Sequence, residues 1–277
     1  MSARGVKKAF TLIELLVVIA IIALLMSIMM PALGTIKKLA QAVVCQANLK
    51  QWCIIFEMYI DNNEGSLCAD FPEGPGDLGG HVWPEALETY YCETQDLRDF
   101  SQRVQKGIRF CPTARKPWVS KQWGNADKFA NTAWSLGDQL KIDAPPFASY
   151  GLNSWASNPS PGIDNLGLGR KATDCWRKPD VQGAHRVPLF LDCRFVGGFP
   201  EHTDRPPEYD GDLVLISDEM RRYCLNRHPN KTINSIFLDL SVRKVGLKEL
   251  WKLKWNRSFD TSVEPAWPEW LRAAREY

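Results

Sequence analysis

Lys7-Lys8-Ala9-Phe10-Thr11-Leu12-Ile13-Glu14-Leu15-Leu16 runs directly into an unbroken apolar block that ends at Met30-Pro31. From Leu15 to Met30 the only polar side chain is Ser27. An α-helix rises 1.5 Å per residue, so the roughly 20 residues from Phe10 to Met30 match the hydrocarbon thickness of a bilayer. The carboxylate of Glu14 is out of character with this block. A charge near the centre of a membrane span costs at least ~2.5 kcal/mol and usually faces a partner rather than lipid. Arg4, Lys7 and Lys8 precede the span, and basic residues on one flank hold that flank in the cytoplasm. The reading is therefore a single-pass membrane protein with a cytoplasmic N-terminus and a periplasmic C-terminal domain.

A short basic leader, a small residue, then Phe10-Thr11-Leu12-Ile13-Glu14 and a long apolar helix resemble the N-terminal signal of type IV pilins and type II secretion pseudopilins. The resemblance implies that a prepilin peptidase cuts between Ala9 and Phe10 and methylates the new amino terminus of Phe10. The family usually carries Gly where this chain has Ala9. Glu14 becomes the fifth mature residue and Pro31 the twenty-second, a position where family members often carry a proline. An ordinary secretory signal has an apolar core of 7 to 15 residues. Ala32-Leu33-Gly34 offers a small-residue cut for such a signal, but the block is longer than that, and helical sequence continues past Gly34. The resemblance also implies a use for Glu14 in assembly: pairing with the amino group of Phe10 in a neighbouring subunit recovers part of the burial cost and sets register.

Beyond Pro31, Ile36, Leu39, Val43, Gln46, Leu49, Trp52, Phe56 and Tyr59 recur in steps of three and four, the period of one helical stripe. Asp61-Asn62-Asn63-Glu64-Gly65 supplies the stop. The string Cys45-Gln-Ala-Asn-Leu-Lys-Gln-Trp-Cys53 followed by Met58-Tyr59 resembles a bacterial subgroup of pseudopilin-like proteins. The fold expected is α+β and pilin-like: one long N-terminal helix, transmembrane in its first half, packed on an antiparallel β-sheet with a loop-rich insertion. The expected segments are a leader at 1–9, a transmembrane helix at 10–30, its amphipathic continuation at 31–63 and a globular domain at 64–277. Within that domain, 64–186 reads as the insertion and 187–277 as sheet and C-terminal helix.

In the insertion, Pro84 to Tyr91 suggests a short helix. Ser149-Tyr150-Gly151-Leu152-Asn153-Ser154-Trp155 resembles a Tyr-Gly-Asn element of the family and reads as a tight turn with Gly151 at its corner and Asn153 tying the backbone. Val187–Asp192, Ile233–Asp239 and Ser241–Val245 are strand-like, the last two forming a hairpin. His228, the run to Asp239 and Ser241-Val242-Arg243 resemble the family's closing motif, with Leu240 where Gly is usual. Leu247 to Trp255 reads as a short helix.

The chain has 277 residues, 24% charged and 45% hydrophobic, with a formal net charge of +2. About 210 residues outside the helix suffice for a core of their own. With no Lys/Arg cluster on a recognition element, nucleic acid is not an expected partner. Eight cysteines in an extracytoplasmic domain favour disulfides, though they permit 105 connectivities and some can be buried thiols. The resemblance of Cys111-Pro112 to the family's Cys-Pro element implies Cys45 with Cys111. Cys175 with Cys193 and Cys68 with Cys92 are further candidates. No Cys-x-x-Cys pair occurs, and four histidines do not suggest a multi-His metal centre.

His228, Asp239 and Asp192 are the candidates for a His and carboxylate site, but no motif supplies a nucleophile, so no enzyme, metal or cofactor is expected. Asp61 to Gly65 offers oxygen ligands without calcium-loop spacing and reads as a helix-ending turn. The expected function is a structural subunit of a type II secretion pseudopilus or related type IV filament. Its partners would be a prepilin peptidase, homologous pseudopilins, an inner-membrane assembly platform and membrane lipid. Eleven tryptophans keep a second class open, an anchored carbohydrate-binding or adhesive module, which would need a solvent-facing row of them.

Overall fold

In a computed structural model of the chain, the described residues are 11–68, 83–91, 107–114, 116–117, 132–135, 147–212 and 217–274. Ala9, Phe10 and Cys92 lie outside them. One helix, α1, runs from Leu12 to Asn62 and passes through Pro31 without interruption. Gly65, at φ +73°, ends it by donating its N–H to the Ile60 carbonyl at 2.9 Å, and Asn63 Nδ2 donates to the Tyr59 carbonyl at 2.7 Å. This stretch is the helix-ending turn expected of Asp61 to Gly65.

The chain divides into two compact units, Met1–Ala40 and Gln41–Tyr277. In the first, residues 12–40 are helical throughout, and the large apolar side chains from Leu12 to Met30 are 45–78% exposed. An 18-residue window there has a mean hydropathy of 2.9, with none of it buried. A helix that is apolar all round needs lipid or other apolar helices as its surroundings.

Among its described residues the second unit contains helices α2 (Trp83–Ala86), α3 (Glu88–Tyr91) and α4 (Glu269–Arg272) and eight strands. Strands β1 (Lys116–Pro117), β2 (Thr132–Ser135) and β3 (Phe147–Ala148) form a small sheet. Strands β4 (Tyr150–Asn153), β5 (Pro188–Asp192), β6 (Gly197–Gly198), β7 (Thr232–Phe237) and β8 (Val242–Gly246) form a larger one in the order β6-β4-β5-β7-β8. Its pairings are antiparallel except the short β4–β6 pair, which makes the sheet mixed rather than purely antiparallel. The fold is thus α+β and consistent with a pilin-like architecture.

The buried stripe of α1 in this unit is Ala42, Cys45, Leu49, Trp52, Cys53, Ile55, Phe56 and Ile60. It shares Leu49, Trp52 and Phe56 with the stripe read off the sequence but takes Ala42, Cys45 and Ile60 in place of Val43, which is exposed, and Gln46 and Tyr59, which are half-buried. Two registers compete at a spacing of three and four, and the structure selects the one that buries both cysteines. Phe190 at the middle of β5 receives this stripe: its ring centre lies 5.2 Å from that of Trp52, 5.4 Å from Phe56 and 4.8 Å from Trp83. Leu189 and Leu191 face the other way along the pleat and are buried too, so β5 is covered on both faces.

The expected turn at Ser149–Trp155 is instead strand β4. Gly151 serves a close approach, because a Cβ there would sit 2.5 Å from the Phe195 carbonyl oxygen and 2.8 Å from Cys193 Sγ. Asn153 does tie backbone, donating to the carbonyls of Pro188 at 2.8 Å and Trp255 at 3.0 Å. The β7–β8 hairpin forms as read, with Leu240 in the left-handed region at φ +59°. The expected helix at 247–255 is a 3-10 turn at Glu249–Lys252. Trp251 and Trp255 beside it are buried.

Candidate functional site

The first site is the start of α1. Thr11 is its cap: the Glu14 amide donates to Thr11 Oγ1 at 3.3 Å, while Thr11 N and Oγ1 donate to Glu14 Oε2 at 2.8 and 2.7 Å. This reciprocal pattern is a capping box, Thr-x-x-Glu, which fixes the first turn and satisfies otherwise orphaned amides. Both bonds from Thr11 use Oε2, leaving Oε1 unused by the cap.

The second site is buried in the Gln41–Tyr277 unit and draws on four distant parts of the chain. Cys45 comes from α1, Cys111 from the turn at 107–114, Asp192 from the end of β5 and His228 from the approach to β7. All four are buried, and their ligand atoms lie within 4.8 Å of one another. His228 Nε2 is 3.0 Å from Asp192 Oδ2 and 3.5 Å from Cys111 Sγ. Cys45 Sγ is 3.7 Å from Asp192 Oδ2 and 3.2 Å from the Tyr150 hydroxyl. The Thr113 hydroxyl lies 3.0 Å from Cys111 Sγ.

The surrounding backbone explains why these side chains converge. The Cys111 amide donates to Ser149 Oγ at 2.5 Å, and the Cys193 amide donates to the Ser149 carbonyl at 2.9 Å, which ties the turn to both strands. Arg227 spreads its guanidinium over the carbonyls of Ser149, Thr132 and Cys193, and donates to Asp192 Oδ1 at 3.2 Å. The Asn234 amide N–H donates to Asp192 Oδ2 at 2.9 Å. Asn234 also holds the helix, accepting from Gln46 at 3.1 Å and donating to the Ala42 carbonyl at 3.3 Å.

Burial alone would raise the Asp192 carboxyl, but the charges of His228 and Arg227 hold it below the ordinary range. Burial likewise opposes the charge on His228, and the Asp192 carboxylate more than offsets this, holding His228 above the usual imidazole range. Burial pushes the Cys45 thiol up. For Cys111 burial acts the same way, yet the hydrogen bond from Cys45 and the neighbouring His228 bring it below the ordinary thiol range. His228 Nδ1 is buried without a hydrogen-bond partner among the described residues. Nε2 therefore meets both Asp192 and Cys111 while Nδ1 meets neither, which is not the order of a nucleophile, imidazole and carboxylate relay.

Of the disulfide candidates, Cys45 and Cys111 are brought together, but as free thiols. Cys175 and Cys193 are free as well: Cys175 Sγ accepts from Ser157 Oγ at 3.9 Å, and Cys193 Sγ accepts from the Phe195 amide at 3.3 Å. Cys68 is buried, and the Cys68–Cys92 pair falls outside the described residues because Cys92 does. Burial makes free thiols acceptable in this core, where they pack as small hydrophobes. Asp239 stays apart from His228 and Asp192. It is exposed and accepts from Ser241 N and Oγ at 3.0 and 2.6 Å within its own turn.

Sequence reasoning missed two features. The capping box was available from the Thr-x-x-Glu spacing. The four-donor cluster had no local spacing to announce it.

No curated protein and no solved structure matches the chain. Residues 4–30 match the family model of the prokaryotic N-terminal methylation motif. That motif implies processing by a prepilin peptidase and assembly into pilus-like filaments, and it heads the one helix among the described residues that is long and apolar enough to cross a membrane. The chain thus carries a prepilin-type N-terminal methylation motif ahead of an α+β domain, and in both respects it is similar to type IV pilin-like proteins.

Proposed function

We infer that the protein is a structural, non-enzymatic subunit of a type II secretion pseudopilus or a related type IV filament. The observation that carries this reading is the methylation motif opening on a helix whose apolar surface, from Leu12 to Met30, is exposed on every side. Before assembly that surface is solvated by lipid. In a filament it is solvated by the same helix of neighbouring subunits, so assembly exchanges one apolar environment for another and needs a polar feature to set register. Glu14 supplies it, with Oε1 available to the amino group of Phe10 in the next subunit while Oε2 holds its own cap.

Arg4, Lys7 and Lys8 keep the N-terminus cytoplasmic, which puts the Gln41–Tyr277 unit in the periplasm. Partners in this reading are homologous pseudopilins and the inner-membrane assembly platform. The anchored carbohydrate-binding reading is less well supported, because among the described tryptophan side chains none is exposed: Trp52, Trp83, Trp155, Trp176, Trp251 and Trp255 are buried, and Trp267 and Trp270 half-buried. The test is recovery of the full-length protein and its Glu14→Ala variant in sheared filaments. Loss of incorporation with normal membrane levels is the expected result, and equal incorporation overturns the register role.

A further inference from the structure

We propose that Cys45, Cys111, Asp192 and His228 form a closed tetrahedral site for a zinc(II) ion that fastens helix α1 to the sheet. The donor set is the first argument. Two thiolates, an imidazole nitrogen and a carboxylate oxygen suit zinc, which takes four such ligands in its structural sites.

The spacing is the second. Bond lengths of about 2.0 to 2.3 Å around a tetrahedral zinc put neighbouring donors roughly 3.3 to 3.8 Å apart. Here the Nε2–Oδ2, Sγ–Nε2 and Sγ–Oδ2 separations are 3.0, 3.5 and 3.7 Å. All four donor atoms lie within 4.8 Å of one another, so a contraction of up to about 1 Å in the longest separation completes the polyhedron.

The surrounding groups are the third. Each sulfur already has a hydroxyl beside it, Tyr150 on Cys45 and Thr113 on Cys111, and each hydroxyl donates to a thiolate once the thiol proton has left. Arg227 and the Asn234 amide orient the carboxylate. Outer partners of this kind fix ligand geometry in metal sites. Charge closes as well. Two thiolates and one carboxylate against a divalent cation leave one negative charge, and Arg227 cancels it. Binding releases the two thiol protons to solvent, together with any proton on His228 Nε2; four coordinate bonds form and nothing is oxidised or reduced.

Four protein ligands leave no open position, so the site is structural. It joins α1, the 107–114 turn, the end of β5 and the approach to β7, elements separated by up to 183 residues. The competing chemistry for Cys45 and Cys111 is a disulfide, which would leave Asp192 and His228 outside the link and turn both hydroxyl contacts onto weak acceptors.

The test uses full-length protein extracted in detergent and purified without chelator. Elemental analysis is expected to find one zinc per chain. Cobalt(II) exchanged into the wild-type chain is expected to give the strong visible bands of tetrahedral cobalt and a near-ultraviolet thiolate charge-transfer band, a readout that does not depend on any variant folding. Cys45→Ser and Cys111→Ser are expected to weaken zinc binding at least ~10-fold, and Cys53→Ser to leave it unchanged. A reduced chain that binds no zinc and gives no tetrahedral cobalt spectrum overturns the proposal. Zinc retained equally by Cys45→Ser and Cys111→Ser does so too, as does a Cys45–Cys111 disulfide in protein taken from its native compartment.

Discussion

Thr11 and Glu14 hydrogen-bond each other in both directions, so the carboxylate at the head of the apolar helix already has a partner within its own chain. This separates two duties of Glu14. The cap needs an acceptor at Oε2, which a glutamine also offers; the register contact needs a negative charge. Glu14→Gln is therefore expected to reach the membrane at normal levels and fail to enter filaments. Thr11→Ala is expected to enter them while loosening the first helical turn by about 0.5–2 kcal/mol. Immunoblots of sheared and cell-bound fractions check both, and normal incorporation of Glu14→Gln would refute the charge requirement.

Arg227 is the most exacting residue of the core. Its guanidinium contacts three carbonyls and the buried Asp192 carboxylate, and both charged side chains are fully buried. Arg227→Ala takes the guanidinium charge from that buried carboxylate and a donor from each of three carbonyls, a loss of about 3–5 kcal/mol. Thermal unfolding of the detergent-extracted protein should show a large fall in Tm. A change within error would mean that His228 alone compensates Asp192.

Gly151 lets β4 approach the 193–195 segment. A methyl group there would overlap the Phe195 carbonyl and Cys193. Gly151→Ala should cost about 1–3 kcal/mol through forced backbone shifts, again read as a lower Tm. An unchanged Tm would show that this contact yields freely.

Asp204 gives stability a pH dependence. Its Oδ2 accepts from the Glu201 and Met220 amides at 3.1 and 2.9 Å, and burial pushes its carboxyl up to about 6. The folded chain thus keeps this proton over a range where the unfolded chain has lost it, and stability falls as pH rises from about 4 to 6. Above that window the ionised carboxylate costs about 3 kcal/mol. An asparagine oxygen can accept both amides without charge, so Asp204→Asn should raise Tm at pH 7.5 and change it little at pH 4. A variant less stable than wild type at pH 7.5 would contradict this.

How far the sequence reveals the molecule depends on how local each signal is. The apolar block and the stop at Gly65 are one-dimensional features, and both read correctly. So do β5 and the β7–β8 hairpin, where strand formers cluster. Tyr150–Asn153 misleads because Gly151 and Asn153 are turn residues by type. Their roles here, a close approach and a backbone tie, come from neighbours 35 and more positions away. The helix stripe is ambiguous by one position until the sheet exists to choose. Cys45, Cys111, Asp192 and His228 share no spacing at all. The sequence points to Cys45 with Cys111 through the family's Cys-Pro element and names His228 and Asp192 as a His and carboxylate pair, but the fold alone brings the two pairs into one cluster.

The central claim is that this chain is a processed prepilin. Intact mass and N-terminal sequencing of the membrane-extracted protein, made in a host with a prepilin peptidase, test it most directly. The account predicts a chain beginning at N-methylated Phe10. An intact leader, or a chain cut after Gly34, would contradict it.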